Sequence, residues 1–161
     1  MRLEPFGQFA LRYVEGTWVV PFGGAESAGF GWGEGTISGD GLEGTVRWAN
    51  YPRRREDGVW TPNLRGVINS ADGAQIVMSM HGQSVEESRP SGECRAILLR
   101  LELLSDHESY RWLNTTFIVG EGEIDEETEE IVVRTYVCVN ELVDHAPAIG
   151  DAPPEQFRQG E

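Results

Sequence analysis

The sequence predicts an all-β chain, a single antiparallel β-barrel of about eight to ten strands around a central cavity. Three observations predict it. Ile131–Val139 (IVVRTYVCV) and Ser109–Val119 (SYRWLNTTFIV) are dense in β-branched and aromatic residues, which favour strands. Glu93–Leu104 (ECRAILLRLELL) alternates strictly, with Ile97, Leu99, Leu101 and Leu103 on one face and Leu98, Arg100, Glu102 and Leu104 on the other. Turn signals separate the apolar runs throughout. Closing such a sheet would remove its edges, and roughly eight strands can enclose one small ligand.

In chain order, Phe9–Val14 and Thr17–Phe22 read as strands with Glu15-Gly16 as a turn between them. Pro21 would put the second at a sheet edge or strand end, since proline cannot donate to a ladder. Gly23–Gly44 holds nine glycines and alternates GFGWGEG, which suits a curved strand or close backbone approach. Within it, Gly39–Gly44 matches G-x-G-x-x-G. A strand-like GTVRW follows where a nucleotide fingerprint needs a helix, and Asp40 and Glu43 would repel a pyrophosphate, so a β-turn is the better reading.

Val46–Gly73 carries two of the five tryptophans and five of the thirteen arginines. It reads as strand, charged turn, strand, turn, with Arg53–Asp57 a solvated turn. Asp72-Gly73 before Ala74–Met80 is a hairpin signal. Polar Gln83–Gly92 reads as a loop. Glu121–Glu130, with seven acids in ten residues, lacks calcium-loop spacing and reads as a solvated hairpin loop. Residues 1–143 are thus expected to form the barrel. The proline-rich 144–161 is expected to be a flexible tail.

The formal net charge is −14, and all thirteen cations are arginine. Such acidity argues against nucleic acid, because phosphate binding needs a basic surface. The lack of lysine excludes Schiff-base chemistry. Cys94 and Cys138 are too few for a disulfide framework and read as two buried free thiols in strands. No basic-then-apolar leader is seen, and no run approaches the ~20 apolar residues of a membrane helix. A cytoplasmic protein is expected.

Gly23-Gly24 follows an early strand, and a glycine-rich hairpin ends at Trp48. Arg65 stands seven residues before Asp72-Gly73, Tyr110, Trp112, Leu113 and Asn114 form a Tyr-x-Trp-Leu-Asn run, and a final strand surrounds Tyr136. With these features the Val46–Gly73 stretch and the YRWLN segment together resemble domain-of-unknown-function family 3237, small bacterial and fungal β-barrels. The resemblance spans most of Gly16 to Asn140. Arg47 and Asn63 stand where acids are expected, so any chemistry resting on those acids would not transfer. The resemblance implies a barrel, calycin-like or allene-oxide-cyclase-like, with a ligand-sized interior and no established activity.

Several residues could carry chemistry. Asn63 and Arg65 share a strand face with Val67. If that face lines the interior, Arg65 is a buried cation needing a carboxylate, best Glu102, or a carbonyl-bearing ligand. Otherwise it is solvated. Tyr110, Trp112 and Asn114 likewise share a strand face and would make a wall for a flat ligand, completed by Trp48, Trp60 and Tyr136, or simply aromatic core. His81, at a strand end, is a candidate general base or a surface residue. His107 reads as a turn residue. No metal or cofactor is expected, since metal binding needs three or more convergent ligands.

These readings point to a small-molecule-binding barrel. Its enzymatic version is a cofactor-free isomerase or cyclase acting on a carbonyl-bearing or aromatic metabolite, with Arg65, Tyr110, Glu102 and His81 as catalytic candidates. A non-catalytic carrier and a structural, oligomer-forming module are the alternatives. The expected partner is a small molecule, with neither nucleic acid nor membrane, and a homodimer is the open question of assembly.

Overall fold

Strand-forming segments with alternating inward and outward residues dominate the chain in the computed structural model, which describes residues 1–20, 26–89 and 92–142. Five long strands are β1 (Arg2–Val19), β2 (Ser27–Ser38), β7 (Gln75–Arg89), β8 (Gly92–Leu104) and β10 (Glu130–Val139). Between them lie β3 (Gly44–Asn50), β6 (Asn63–Ser70), β9 (Ile118–Asp125) and two minimal strands, β4 (Arg53–Arg54) and β5 (Trp60–Thr61). One 3-10 helix spans Glu108–Thr115. Pro21, Gly23-Gly24 and the expected tail lie outside the described residues.

All pairings are antiparallel and form one ten-stranded sheet. On one side the order β1-β10-β9-β8-β7 is simple. Between β2 and β7 the sheet forks. Toward one end β3 and β6 bridge the gap, pairing Gly31–Ile37 of β2 with β3 and Gln75–His81 of β7 with β6. Toward the other, β4 and β5 bridge it through Ser27–Ala28 and Ser84.

The predicted single β-barrel around a central cavity is therefore corrected: the ring of strands is not a barrel. The fork breaks the uniform strand order that a barrel's shear and tilt require. Nor is the middle hollow. Phe9, Ile37, Ile68, Ile76, Met78 and Met80 are buried to under 2 % exposure there, together with Leu101, Leu103, Ile118 and Val133. Paired inward alternation from every long strand fills the space with side chains.

Local expectations fare unevenly. The alternation in β8 places Ile97, Leu99, Leu101 and Leu103 inside and Leu98, Arg100, Glu102 and Leu104 outside. Asp72-Gly73 turns β6 into β7, with Gly73 at φ 89. Glu15-Gly16 does not turn: β1 runs through it with a bulge between Tyr13 and Glu15, because its pairing with β2 continues to Val19. Gln83–Arg89 and Gly92, expected within a loop, are paired strand instead. Their polarity reflects a β7–β8 ladder that continues from Gln83–Leu98 to Arg89–Gly92, with Val85–Ser88 exposed. Cys94 and Cys138 are free thiols in β8 and β10. Among the described residues no helix is long and apolar enough to cross a membrane.

The glycine row explains how large rings fit against β2. A Cβ at Gly33 would lie 2.2 Å from Arg12 O and 2.5 Å from the Trp48 ring. One at Gly31 would lie 2.6 Å from the Tyr13 ring, and one at Gly29 2.1 Å from the Trp18 ring. The bare strand face is a bed for three aromatic side chains. Tyr13 meets Trp48 edge-on with ring centroids 4.6 Å apart, and Trp48 Nε1 donates to Glu34 O.

Ser109–Val119 is not one strand. His107 caps the 3-10 helix by accepting from Ser109 N, and β9 begins only at Ile118. Asn114 ties the helix to the end of β8: Ser105 N donates to its Oδ1 at 2.8 Å and its Nδ2 donates to Ser105 O at 2.9 Å. Trp112 and Leu113 drop into the core, Trp112 meeting Phe6 edge-on at 6.0 Å. The helix plugs the end of the ring where β8 finishes.

Gly33→Ala should destabilise the fold by about 1–3 kcal/mol through overpacking, read as a lower urea midpoint; an unchanged midpoint would contradict the ring-on-glycine packing. Asn114→Ala should cost about 1–2 kcal/mol for its two lost hydrogen bonds, read by thermal melting.

Candidate functional site

At the end remote from the plug, the start of β8 and the far ends of β1 and β7 frame a cavity of about 520 Å³. It falls in the size range of small-molecule sites. Its walls are aromatic. Trp18, on β1 over Gly29, and Trp60, on β5, pack edge-to-face with centroids 5.3 Å apart. Tyr13 also lines the cavity, one ring deeper, against Trp48.

Two arginines reach this cleft from different strands. The Arg95 guanidinium sits 5.2 Å from the Trp60 ring centroid, a cation–π contact, and its Nε is 2.7 Å from Glu126 Oε1. Arg54 Nη2 lies 3.7 Å from Glu86 Oε1, while Arg54 Nε is buried without a hydrogen-bond partner among the described residues. Asp125 and Glu129 also border the cleft. Two cations against four carboxylates leave it net negative, which disfavours strongly anionic ligands. Asn50 Nδ2 donates to Tyr13 Oη at 2.7 Å. Burial, the dominant influence, raises the Tyr13 pKa above its ordinary 10.0, so the phenol stays protonated near neutrality.

The residues singled out in the sequence do not gather here, with one exception. Trp60 lines the cleft. Trp48 is 3 % exposed and serves as packing beneath Tyr13. Trp112 is core, and Asn114 holds the plug. The 3-10 helix also removes the common face expected for Tyr110, Trp112 and Asn114, since alternate residues share a face only in a strand. Tyr110 Oη donates to Asp72 Oδ1 at 3.0 Å beside the β6–β7 turn.

Asn63, Arg65, His81 and Glu102 lie on the outer face of neighbouring strands. Arg65 is exposed and pairs in register with Ser79, whose hydroxyl donates to Glu102 Oε2 at 3.3 Å. The interior face of β6 belongs instead to Leu64 and Ile68. His81 and Tyr136 border a separate outer groove of about 480 Å³, and Tyr136 Oη donates to Glu121 Oε1.

The isomerase or cyclase expectation is corrected on this ground. Its catalytic candidates are split between the outer face (Arg65, His81 and Glu102) and the plug (Tyr110), so they do not converge on one substrate atom. Among the described residues no three metal-ligating side chains cluster.

Sequence reasoning missed Tyr13, Trp18, Arg54 and Arg95. The glycine row was the available signal for the first two, because bare strand faces need rings to cover them. Arg54 sat in the segment read as a solvated turn, whereas it forms β4 and reaches the cleft. Nothing in the spacing of Arg95 distinguished it.

Comparison with solved structures places this fold among others of its kind. A beta-barrel like protein from Acinetobacter baumannii superimposes with a TM-score of 0.74 at 17% identity, covering 84% of this chain and 94% of that one. A protein with unknown function from Clostridium acetobutylicum gives 0.75 at 16% identity, over 86% of this chain and 100% of that one. An enzyme from Penicillium herquei gives 0.63 at 17% identity, over 86% and 96%. At such identities the likeness is one of fold. No curated protein matches the sequence. The family described as "Protein of unknown function (DUF3237)" matches over residues 2–138, and the chain belongs to it.

Proposed function

We propose that this protein binds a small, uncharged, partly aromatic molecule in the end cleft. The observation that carries the reading is the cavity of about 520 Å³ walled by Trp18 and Trp60, with Arg95 stacked on Trp60 and Arg54 Nε without a hydrogen-bond partner among the described residues. Aromatic walls offer flat apolar area, and a few fixed polar groups orient what lies between them. The carboxylates around the rim favour a neutral ligand over an anion. Binding, as in a carrier, is the role this geometry favours. A cytoplasmic setting fits the free Cys94 and Cys138.

Two bicyclic probes test the reading, 1-tetralone and its carbonyl-free counterpart tetralin, titrated by isothermal calorimetry. Saturable 1:1 binding is expected, and Trp60→Ala should weaken it about tenfold through lost stacking worth roughly 1–1.5 kcal/mol. The reading fails if neither probe binds, or if Trp60→Ala and Trp18→Ala both leave affinity unchanged.

A further inference from the structure

Among the polar groups of the cleft, one has its donor sense fixed by the backbone. Asn63 N–H donates to Asn50 Oδ1 at 2.9 Å. A backbone amide can only donate, so the oxygen of the Asn50 side chain is assigned, and its other end must be the NH₂ group. That NH₂ donates to Tyr13 Oη at 2.7 Å. Asn50 is 4 % exposed, held between β3 and the start of β6, and has no room to reverse the relay without leaving the Asn63 amide unpaired.

The consequence falls on the tyrosine. Its oxygen already accepts from Asn50, so its own proton must go elsewhere, and no described residue accepts it. The charges that act on this hydroxyl are Arg95 and Glu129, both residues of the cleft. Burial holds the phenol in its protonated form. Tyr13 stands over Gly31 and against Trp48, so the ring cannot swing away from the position the relay gives it. A second hydroxyl is also unanswered. Ser84 Oγ is buried with no hydrogen-bond partner among the described residues, on β7 opposite Trp60 and two residues before cleft-lining Glu86.

From this relay we infer that Tyr13 is the specificity-determining donor of the cleft, selecting ligands that carry a carbonyl or equivalent acceptor oxygen on the aromatic frame. The inference rests on the binding reading above and adds the chemistry that the ligand must present. Aromatic walls alone accept any flat apolar molecule. A partly buried donor whose proton has no acceptor among the described residues discriminates, because a ligand that covers it without offering an acceptor leaves the hydroxyl desolvated and unpaired. A ligand that offers only a donor at this point meets the same penalty. Tyr13 acts here in recognition, with no bond made or broken.

The same probe pair separates the two claims. Wild-type protein should bind 1-tetralone about tenfold more tightly than tetralin, the ratio one satisfied buried hydrogen bond supplies. In Tyr13→Phe the preference should collapse to within about twofold by weakening of 1-tetralone alone. A readout independent of any variant is the infrared carbonyl stretch of bound 1-tetralone in wild-type protein, expected at lower frequency than in dry hexane and returning toward it in Tyr13→Phe. Equal binding of both probes, or a bound stretch at the hexane frequency, overturns the donor while leaving the binding reading intact. Binding of neither probe overturns both.

Discussion

Aromatic rings laid on a glycine-stripped strand are the contact on which the rest of this structure depends. Gly29, Gly31 and Gly33 leave the inner face of β2 bare, and Trp18, Tyr13 and Trp48 cover it in turn. Trp48 belongs to the core, Tyr13 is its upper boundary, and Trp18 reaches the wall of the cleft. A Cβ on any of the three glycines would strike a ring at 2.6 Å or less. One run of sequence, GFGWGEG, thus sets both where the packed interior ends and where the open space begins.

The forked sheet follows the same logic. Below Tyr13, β3 and β6 close the gap between β2 and β7 and contribute Val46, Trp48, Leu64 and Ile68 to the core. Above it, only the two-residue strands β4 and β5 bridge the gap, and they bring Arg54 and Trp60. A short bridge contributes few inward side chains, so the end it spans stays unfilled. The opposite end is sealed by Trp112 and Leu113 of the 3-10 helix. The molecule is filled at its middle, stoppered at one end and open at the other.

What the sequence made legible was local and periodic. The strict alternation of Glu93–Leu104 sorted the two faces of β8 residue by residue without saying which is buried, and Asp72-Gly73 located a hairpin. The DUF3237 membership was also readable from a few residues. Topology was not, because nothing local in Arg53–Arg54 or Trp60–Thr61 reveals that two-residue strands will fork a sheet. Tyr110–Asn114 misled for a physical reason. Aromatic and amide residues read as strand by propensity, but the His107 cap and the Asn114 side chain's bonds to Ser105 hold a 3-10 helix instead. Arg65 misled because residue type cannot say which face of a strand is buried. Its neighbours Leu64 and Ile68, both buried, claimed the interior.

The proposed binding puts the ligand at the open end, between Trp18 and Trp60. Fluorine NMR of protein carrying 5-fluorotryptophan at all five tryptophans, titrated with 1-tetralone, tests it most directly. The account predicts that the resonances of Trp18 and Trp60 move with added probe while those of Trp32, on the outer face of β2, and Trp112, in the plug, stay fixed. Movement of Trp32 or Trp112 with Trp18 and Trp60 unchanged would contradict it.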